Sequence, residues 1–229
     1  MKDKIIVFTD GAASGNPGPG GWGCILRSGS TVTELGGGEA HTTNNRMELY
    51  ALIAGLEKIP SDHAEDILVY SDSSYVLSGA EKNLSNWKKR DWKTMSGDPV
   101  KNQDLWKRLD EILQTLKNKI TWNLVPGHEG VPGNERCDEI AVTFSKGGEA
   151  DLYSGDAKKY KIDLTYTPSL GGKKSKNPWY LSLVDGKLEK HITWCECENR
   201  VKGKRGVKFK KVASQYEEDK TLESWNYKK

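Results

Sequence analysis

Residues 5–23 read IIVFTDGAASGNPGPGGWG. A burst of β-branched and aromatic side chains gives way to Asp10, and then to glycines, prolines and small residues in which Trp22 is the only large apolar side chain. The burst has the composition of a buried strand. An acid where such a strand ends is costly to ionise unless something positive compensates it. The glycines after it are no nucleotide cradle, because no helix pattern follows and no lysine is placed to reach a phosphate. Their expected role is to turn the chain tightly into a second strand, leaving Asp10 exposed at the strand's end with room for a substrate beside it.

Working outward, GGWGCILRSGS (20–30) and TVTELGGGEA (31–40) read as two more antiparallel strands separated by a Ser/Gly turn. Leu49, Leu52, Ile53 and Leu56 fall at i, i+3, i+4 and i+7, which predicts a helix with one apolar face. Asn45 stands three residues before Glu48, as in a capping box that starts this helix. DILVYSD (66–72) is a further buried strand ending in an acid, Asp72. SSYVLSGA (73–80) reads as a short helix, and Leu105, Leu109, Ile112, Leu113 and Leu116 trace another. KITWNLVPG (119–127) is a fifth strand, and NERCDEIAVTF (134–144) a helix that Asn134 can cap. This alternation predicts an α/β fold, a five-stranded mixed sheet with helices on its faces.

Composition narrows the class. With 35% hydrophobic and 29% charged residues over 229 positions, the chain has the makings of one sizeable core, or of a medium domain plus a small one. No apolar run reaches the roughly 18–20 residues of a membrane span, and the N-terminal apolar stretch is too short for a signal peptide, so a cytoplasmic monomer is expected. Four scattered cysteines make no disulfide framework, and the CEC pair (195–197) lacks zinc-ribbon spacing. Residues 170–229 carry 15 Lys+Arg against 8 Asp+Glu, a net of +7, which leaves −4 for the remainder. A basic tail on an acidic body points to a polyanionic partner. Before that tail, SLGGKKSKNP (169–178) has linker composition. The expected division is 1–166, a linker over 167–178, and a small α+β domain over 179–229.

Four acids stand out by position: Asp10 and Asp72 at strand ends, Glu48 and Asp138 early in helices. A cluster of carboxylates without His or Cys selects a hard cation, Mg²⁺ with Mn²⁺ as a substitute, and Mg²⁺ held by a few carboxylates commonly serves chemistry at phosphorus.

The wording around these acids carries a family resemblance. FTDGAASGNPGPGG (8–21), TTNNRMEL (42–49), YSDSSYV (70–76), NWKKRDW (86–92) and GHEGVPGNERCDE (127–139) occur in this order. Together they closely resemble the bacterial type 1 ribonucleases H, over residues 1 to about 166. The resemblance implies a ribonuclease H-like fold and a catalytic quartet of Asp10, Glu48, Asp72 and Asp138 binding two Mg²⁺ ions, with His128 in a loop beside them. It implies hydrolysis of the RNA strand of an RNA/DNA hybrid to 5′-phosphate and 3′-hydroxyl ends. Asn16, Thr43, Asn44 and Asn45 would meet the hybrid backbone, and Trp87, Lys88, Lys89, Arg90 and Trp92 would form a basic handle on it. Ser74 stands where the family has Gln, Ala13 where Cys is frequent, and Asp91 where Gly is common. The alternative, a non-catalytic hybrid-binding protein on the same fold, predicts a missing acid, and none is missing.

WYLSLVDGK (179–187) followed by ITWCECENRVKGKRGVKFKKV (192–212) resembles the hybrid-binding, viroplasmin-like domain usually found at the N-terminus of eukaryotic type 1 ribonucleases H. Here it is C-terminal, with Val212 in place of the usual aromatic. The resemblance implies contacts to hybrid, or to double-stranded RNA, through Tyr180, Trp194, Lys210 and Lys211.

Overall fold

The computed structural model describes residues 4–116, 118–127, 130–165, 179–204 and 206–212, together with 218, 221, 222 and 224–227. The chain divides into two compact units, Met1–Thr167 and Pro168–Lys229. The expected linker, 167–178, lies outside the described residues.

In the first unit β1 (Ile5–Ala13), β2 (Gly18–Ser28) and β3 (Thr31–Thr42) form an antiparallel meander. Helix α1 (Asn44–Glu57) crosses to β4 (Ile67–Ser71), which pairs parallel to β1. A continuous helical stretch follows: α2 (Ser74–Ser78), one π-helical turn (Gly79–Asn83) and α3 (Leu84–Lys89). After α4 (Gln103–Thr115), β5 (Ile120–Leu124) pairs parallel to β4, and α5 (Pro132–Ser145) follows.

The sheet has six strands rather than the expected five, in the order β5-β4-β1-β2-β3-β6. The addition is β6 (Ser154–Asp156), paired antiparallel with β3. Its sequence, SGD, has no apolar alternation to read, and its register with β3 is held by main-chain pairing.

Alternation along β1 sorts the core. Ile5 and Val7 face α1 and α4 with Leu49, Leu52, Ile53, Leu56, Trp106 and Leu109, whereas Phe8 faces α5 with Ile25, Val125, Val131 and Cys137. The glycines after Asp10 do more than turn the chain. β1 continues through Ala13, and a Cβ on Gly11 would stand 2.3 Å from the backbone nitrogen of Glu48 in α1. On the opposite face a Cβ on Gly23 would stand 2.3 Å from the carbonyl oxygen of Cys137 in α5. Both helices therefore approach the sheet at backbone distance.

Two expected caps are corrected. Helix α1 begins at Asn44 with Thr43 as N-cap and no side-chain cap, so Asn45 and Glu48 make no capping box. Helix α5 begins at Pro132, a residue preorganised for a first turn, which places Asn134 inside the helix and buried.

The second unit is a three-stranded antiparallel sheet in the order β8-β7-β9, made of β7 (Trp179–Val184), β8 (Lys187–His191) and β9 (Lys208–Val212). Leu181, Val212 and Leu222 form the core on one face. On the other lies α6 (Trp194–Val201), which buries Cys197 and Val201, while Arg200 donates to the carbonyl of Ser182 (2.9 Å).

Because Gly23 meets α5 backbone, Gly23→Ala is expected to lower stability by about 1–3 kcal/mol. Urea unfolding of the full chain measures it; an unchanged midpoint would mean that α5 does not rest on this residue.

Candidate active site

Pairing between β1 and β4 runs in parallel to Thr9 opposite Ser71, so the next residues, Asp10 and Asp72, stand level on adjacent strands. The face they continue is set two residues earlier, where the Phe8 and Tyr70 rings stack with centroids 4.7 Å apart. Asp10 pairs with Gly23 across β2, beneath the start of α5, which carries Asp138. Glu48 enters on α1, brought close by Gly11. Four acids on four elements thus converge at one end of β1.

Asp10 is not exposed as expected; only 5% of it is accessible. Burial, together with Asp72, Asp138 and Glu48, pushes its carboxyl up to about 8, opposed by the Gly11 N–H that donates to Oδ1 at 2.7 Å. Each of the three other acids raises Asp10, as like charges gathered around a buried carboxyl do. Glu48 is raised too, by burial and by Asp72, while hydrogen bonds from Ser73 and Asn44 act against the shift.

Glu48 is held at both oxygens. The Asn44 amide donates to Oε1 (2.9 Å), and the Ser73 hydroxyl to Oε2 (2.5 Å). Ser73 also accepts from Val76 N–H as N-cap of α2, so a single hydroxyl joins the start of that helix to the acid cluster. Sequence reading missed Ser73. Its available signal was a serine directly after Asp72 at the start of a predicted helix, a position that favours serine.

The donor set, oxygen only, fits a hard divalent cation, and the raised Asp10 carboxyl is the group a cation would relieve. Among the described residues no three His, Cys, Asp or Glu side chains are grouped closely enough to hold a metal ion between them. Mg²⁺ suits such an open arrangement, because it keeps waters and takes substrate oxygens as ligands.

His128 lies outside the described residues; Gly127, just before it, abuts the Asp72 carboxylate. Asn16 and Asn45 are exposed, with Thr43 and Asn44 half-buried at the start of α1. In the basic segment the tryptophans are anchors. Trp87 packs edge-on against buried Trp106 (5.2 Å), and Trp92 joins the same core with Lys107 over its ring. Lys88 is tied to Asp110 at 2.6 Å, which leaves Lys89 and Arg90 as the exposed cations beside it.

In the second unit Tyr180, Trp194 and Phe209 form an aromatic row, with centroid spacings of 5.6 and 5.5 Å. Phe209 is 49% exposed and was absent from the expected contacts, although its place between lysines in KFKK marks it. Lys211 lies 5.8 Å from the Tyr180 ring centroid. Lys210 pairs with buried Leu181, so strand alternation turns it to the opposite face. A capping box between Thr193 and Glu196 fixes the entry of α6 and with it the pose of Trp194.

Residues 2–146 match the sequence model of the family described as RNase H. The chain is 52% identical over 141 residues to Ribonuclease H of Pseudomonas fluorescens strain Pf-5, an alignment that covers 62% of this chain and 91% of that protein. It is 50% identical over 139 residues to Ribonuclease H of Paracidovorax citrulli, covering 61% and 92%. Among solved structures, the crystal structure of LC9-RNase H1, titled a type 1 RNase H with the type 2 active-site motif, superposes with a TM-score of 0.56 at 28% identity, covering 68% of this chain and 79% of that one.

The raised Asp10 carboxyl links stability to pH. In metal-free protein the native state keeps a proton that the unfolded chain releases above about 4. The stability contributed by Asp10 therefore falls as pH rises from there to about 8. Asp10→Asn should melt above wild type at pH 8 by roughly 1–3 kcal/mol, several degrees in Tm, with the gap closing at pH 4 or on adding Mg²⁺. Equal melting at pH 8 would mean that Asp10 is not strained.

Proposed function

This chain belongs to the RNase H family and is a ribonuclease H enzyme, and from that premise we propose that it hydrolyses the RNA strand of RNA/DNA hybrids at Asp10, Glu48, Asp72 and Asp138, leaving 5′-phosphate and 3′-hydroxyl ends. The observation that carries this reading is the Asp10 carboxyl, pushed up by burial and by three other acids that reach it from other parts of the fold. Water adds to phosphorus, the bond to the 3′ oxygen breaks, and that oxygen takes up a proton. Two divalent ions, Mg²⁺ or Mn²⁺, would supply activation of the water and stabilisation of the departing oxygen when bound.

The residues' own tasks follow from their surroundings. Asp10, the most buried of the four and the one the other three surround, would be held in common by both ions. Glu48 and Asp72 would hold one ion and Asp138 the other. Asn44 and Ser73 hold the Glu48 carboxylate in one orientation before substrate arrives. With its Nδ2 given to Glu48, Asn44 has its amide oxygen left to accept a 2′-hydroxyl, the group that separates RNA from DNA. Asn16, Thr43 and Asn45 complete the contact to the hybrid backbone. His128, whose imidazole can both take and give a proton, moves the proton to the departing oxygen or helps product leave.

Lys89 and Arg90, exposed on a tryptophan-anchored segment, bind phosphates, whereas Lys88 must first leave Asp110. In the C-terminal unit Tyr180, Trp194 and Phe209 stack on sugars or bases, and Lys211 meets phosphate on the same face. Hybrid is the proposed ligand of this unit. The tether raises the local concentration of substrate at the acids.

Incubation with end-labelled RNA/DNA hybrid, duplex DNA and duplex RNA in Mg²⁺ tests the central reading. The hybrid alone should be cut, with 5′ ends that accept labelled phosphate only after phosphatase treatment, and Asp10→Asn should be inactive; cutting of all three duplexes would overturn it. Phe209→Ala should weaken hybrid binding roughly tenfold and leave kcat at saturating hybrid unchanged. Unaltered binding, or loss of duplex-RNA binding alone, would refute the hybrid role of the C-terminal unit.

A further inference from the structure

Outside the acid cluster, a second site of buried charge lies against α5. Glu34 on β3 is 4% exposed, yet its carboxyl is held below its ordinary value; burial works to raise it, and hydrogen bonds from Arg136, Tyr160 and Tyr153 outweigh burial. Arg136 on α5 forks onto both oxygens, through Nε (2.9 Å) and Nη2 (2.8 Å). The Tyr160 hydroxyl donates to Oε1 at 2.6 Å and the Tyr153 N–H to Oε2 at 3.0 Å. Arg136 also reaches the carbonyl of Asp151 (2.7 Å). Both tyrosines lie beyond the stretch matched by the family, which ends at residue 146.

The fork bears on the acids through α5. Arg136 is two residues from Asp138, and the residue between them, Cys137, rests its carbonyl over Gly23, the partner of Asp10 across β2. A helix seated on a glycine has no side-chain ridge beneath it at that point, so apolar contact there is non-directional and permits rolling. A bidentate guanidinium–carboxylate pair is directional. We propose that the fork between Glu34 and Arg136, closed by Tyr160, sets the rotation of α5 and so holds the Asp138 carboxylate toward Asp10, with Tyr160 a positioning residue for the reaction. This rests on the reading of Asp138 as a metal-holding acid.

The test uses full-length Tyr160→Phe, Glu34→Gln, Arg136→Lys and Asp138→Asn, each assayed well below its own Tm. Two readouts are taken: calorimetric Mn²⁺ binding without substrate, and hybrid cleavage against Mg²⁺ concentration. Arg136→Lys and Glu34→Gln should weaken Mn²⁺ binding and raise half-saturating Mg²⁺ about tenfold, as loss of a group that orients a ligand does, and Tyr160→Phe about threefold. KM for hybrid at saturating metal should stay at the wild-type value. Adding Tyr160→Phe to Asp138→Asn should cost nothing further, because the two act through one carboxylate.

Lowered Tm with unchanged metal binding in Tyr160→Phe and Glu34→Gln would overturn the proposal, leaving a structural clip. If Asp138→Asn shifts metal dependence and Tyr160→Phe does not, positioning alone fails. If Asp138→Asn binds and cleaves as wild type, the reading of Asp138 itself is wrong. Tyr160→Phe keeps the fork intact, so the test stands even where Arg136→Lys does not fold.

Discussion

The N-terminal unit is organised around a carboxyl group removed from water at Asp10, between a helix on each face of the sheet. Burial of an acid is tolerable when it is protonated or when a cation is supplied, and here three further acids add to burial in raising the cost of leaving it ionised and uncompensated. The neighbouring elements share this constraint. Parallel pairing of β1 with β4 brings Asp72 level, glycine on one face admits α1 with Glu48, and glycine on the other admits α5 with Asp138. The sheet supplies position and the helices supply charge.

Two of the elements that carry acids are also restrained from a second direction. Glu48 is gripped by Asn44 and Ser73, and α5 by the fork to Glu34. These contacts work against the repulsion among the four acids, since like charges at short range push apart. Stability elsewhere in the fold offsets that repulsion, most visibly in the core around Trp106, whose indole N–H donates to the hydroxyl of Tyr75 at 3.0 Å.

Much of this was legible in the sequence, and the parts that were not have physical causes. Strand–helix alternation and the acids could be read because periodicity and an acid beside an apolar run are local signals. Burial of Asp10 could not be, since it depends on helices that return from 38 and 128 residues away in the chain, to Glu48 and Asp138. β6 escaped because three residues held by main-chain pairing carry no pattern. Trp87 and Trp92 read equally well as stacking platforms or anchors until the position of Trp106 was known. Lys210 and Lys211 read as one pair of contacts, whereas pleating divides them between two faces. His128 remains a reading from motif alone.

The π-helical turn at Gly79–Asn83 sits between the Asp72 end of the helical stretch and the cations of α3. A wider turn holds one residue more than an α-turn, so it resets the phase between the two halves. Gaining or losing one residue there rotates the downstream half by about 100° while the upstream half, with Ser73 on Glu48, keeps its place. The pose of α3, with exposed Lys89 and Arg90, is in this way tied through the length of one turn to the stretch that carries Ser73. An insertion or deletion at this turn would therefore redirect the cations of α3 without touching a single acid.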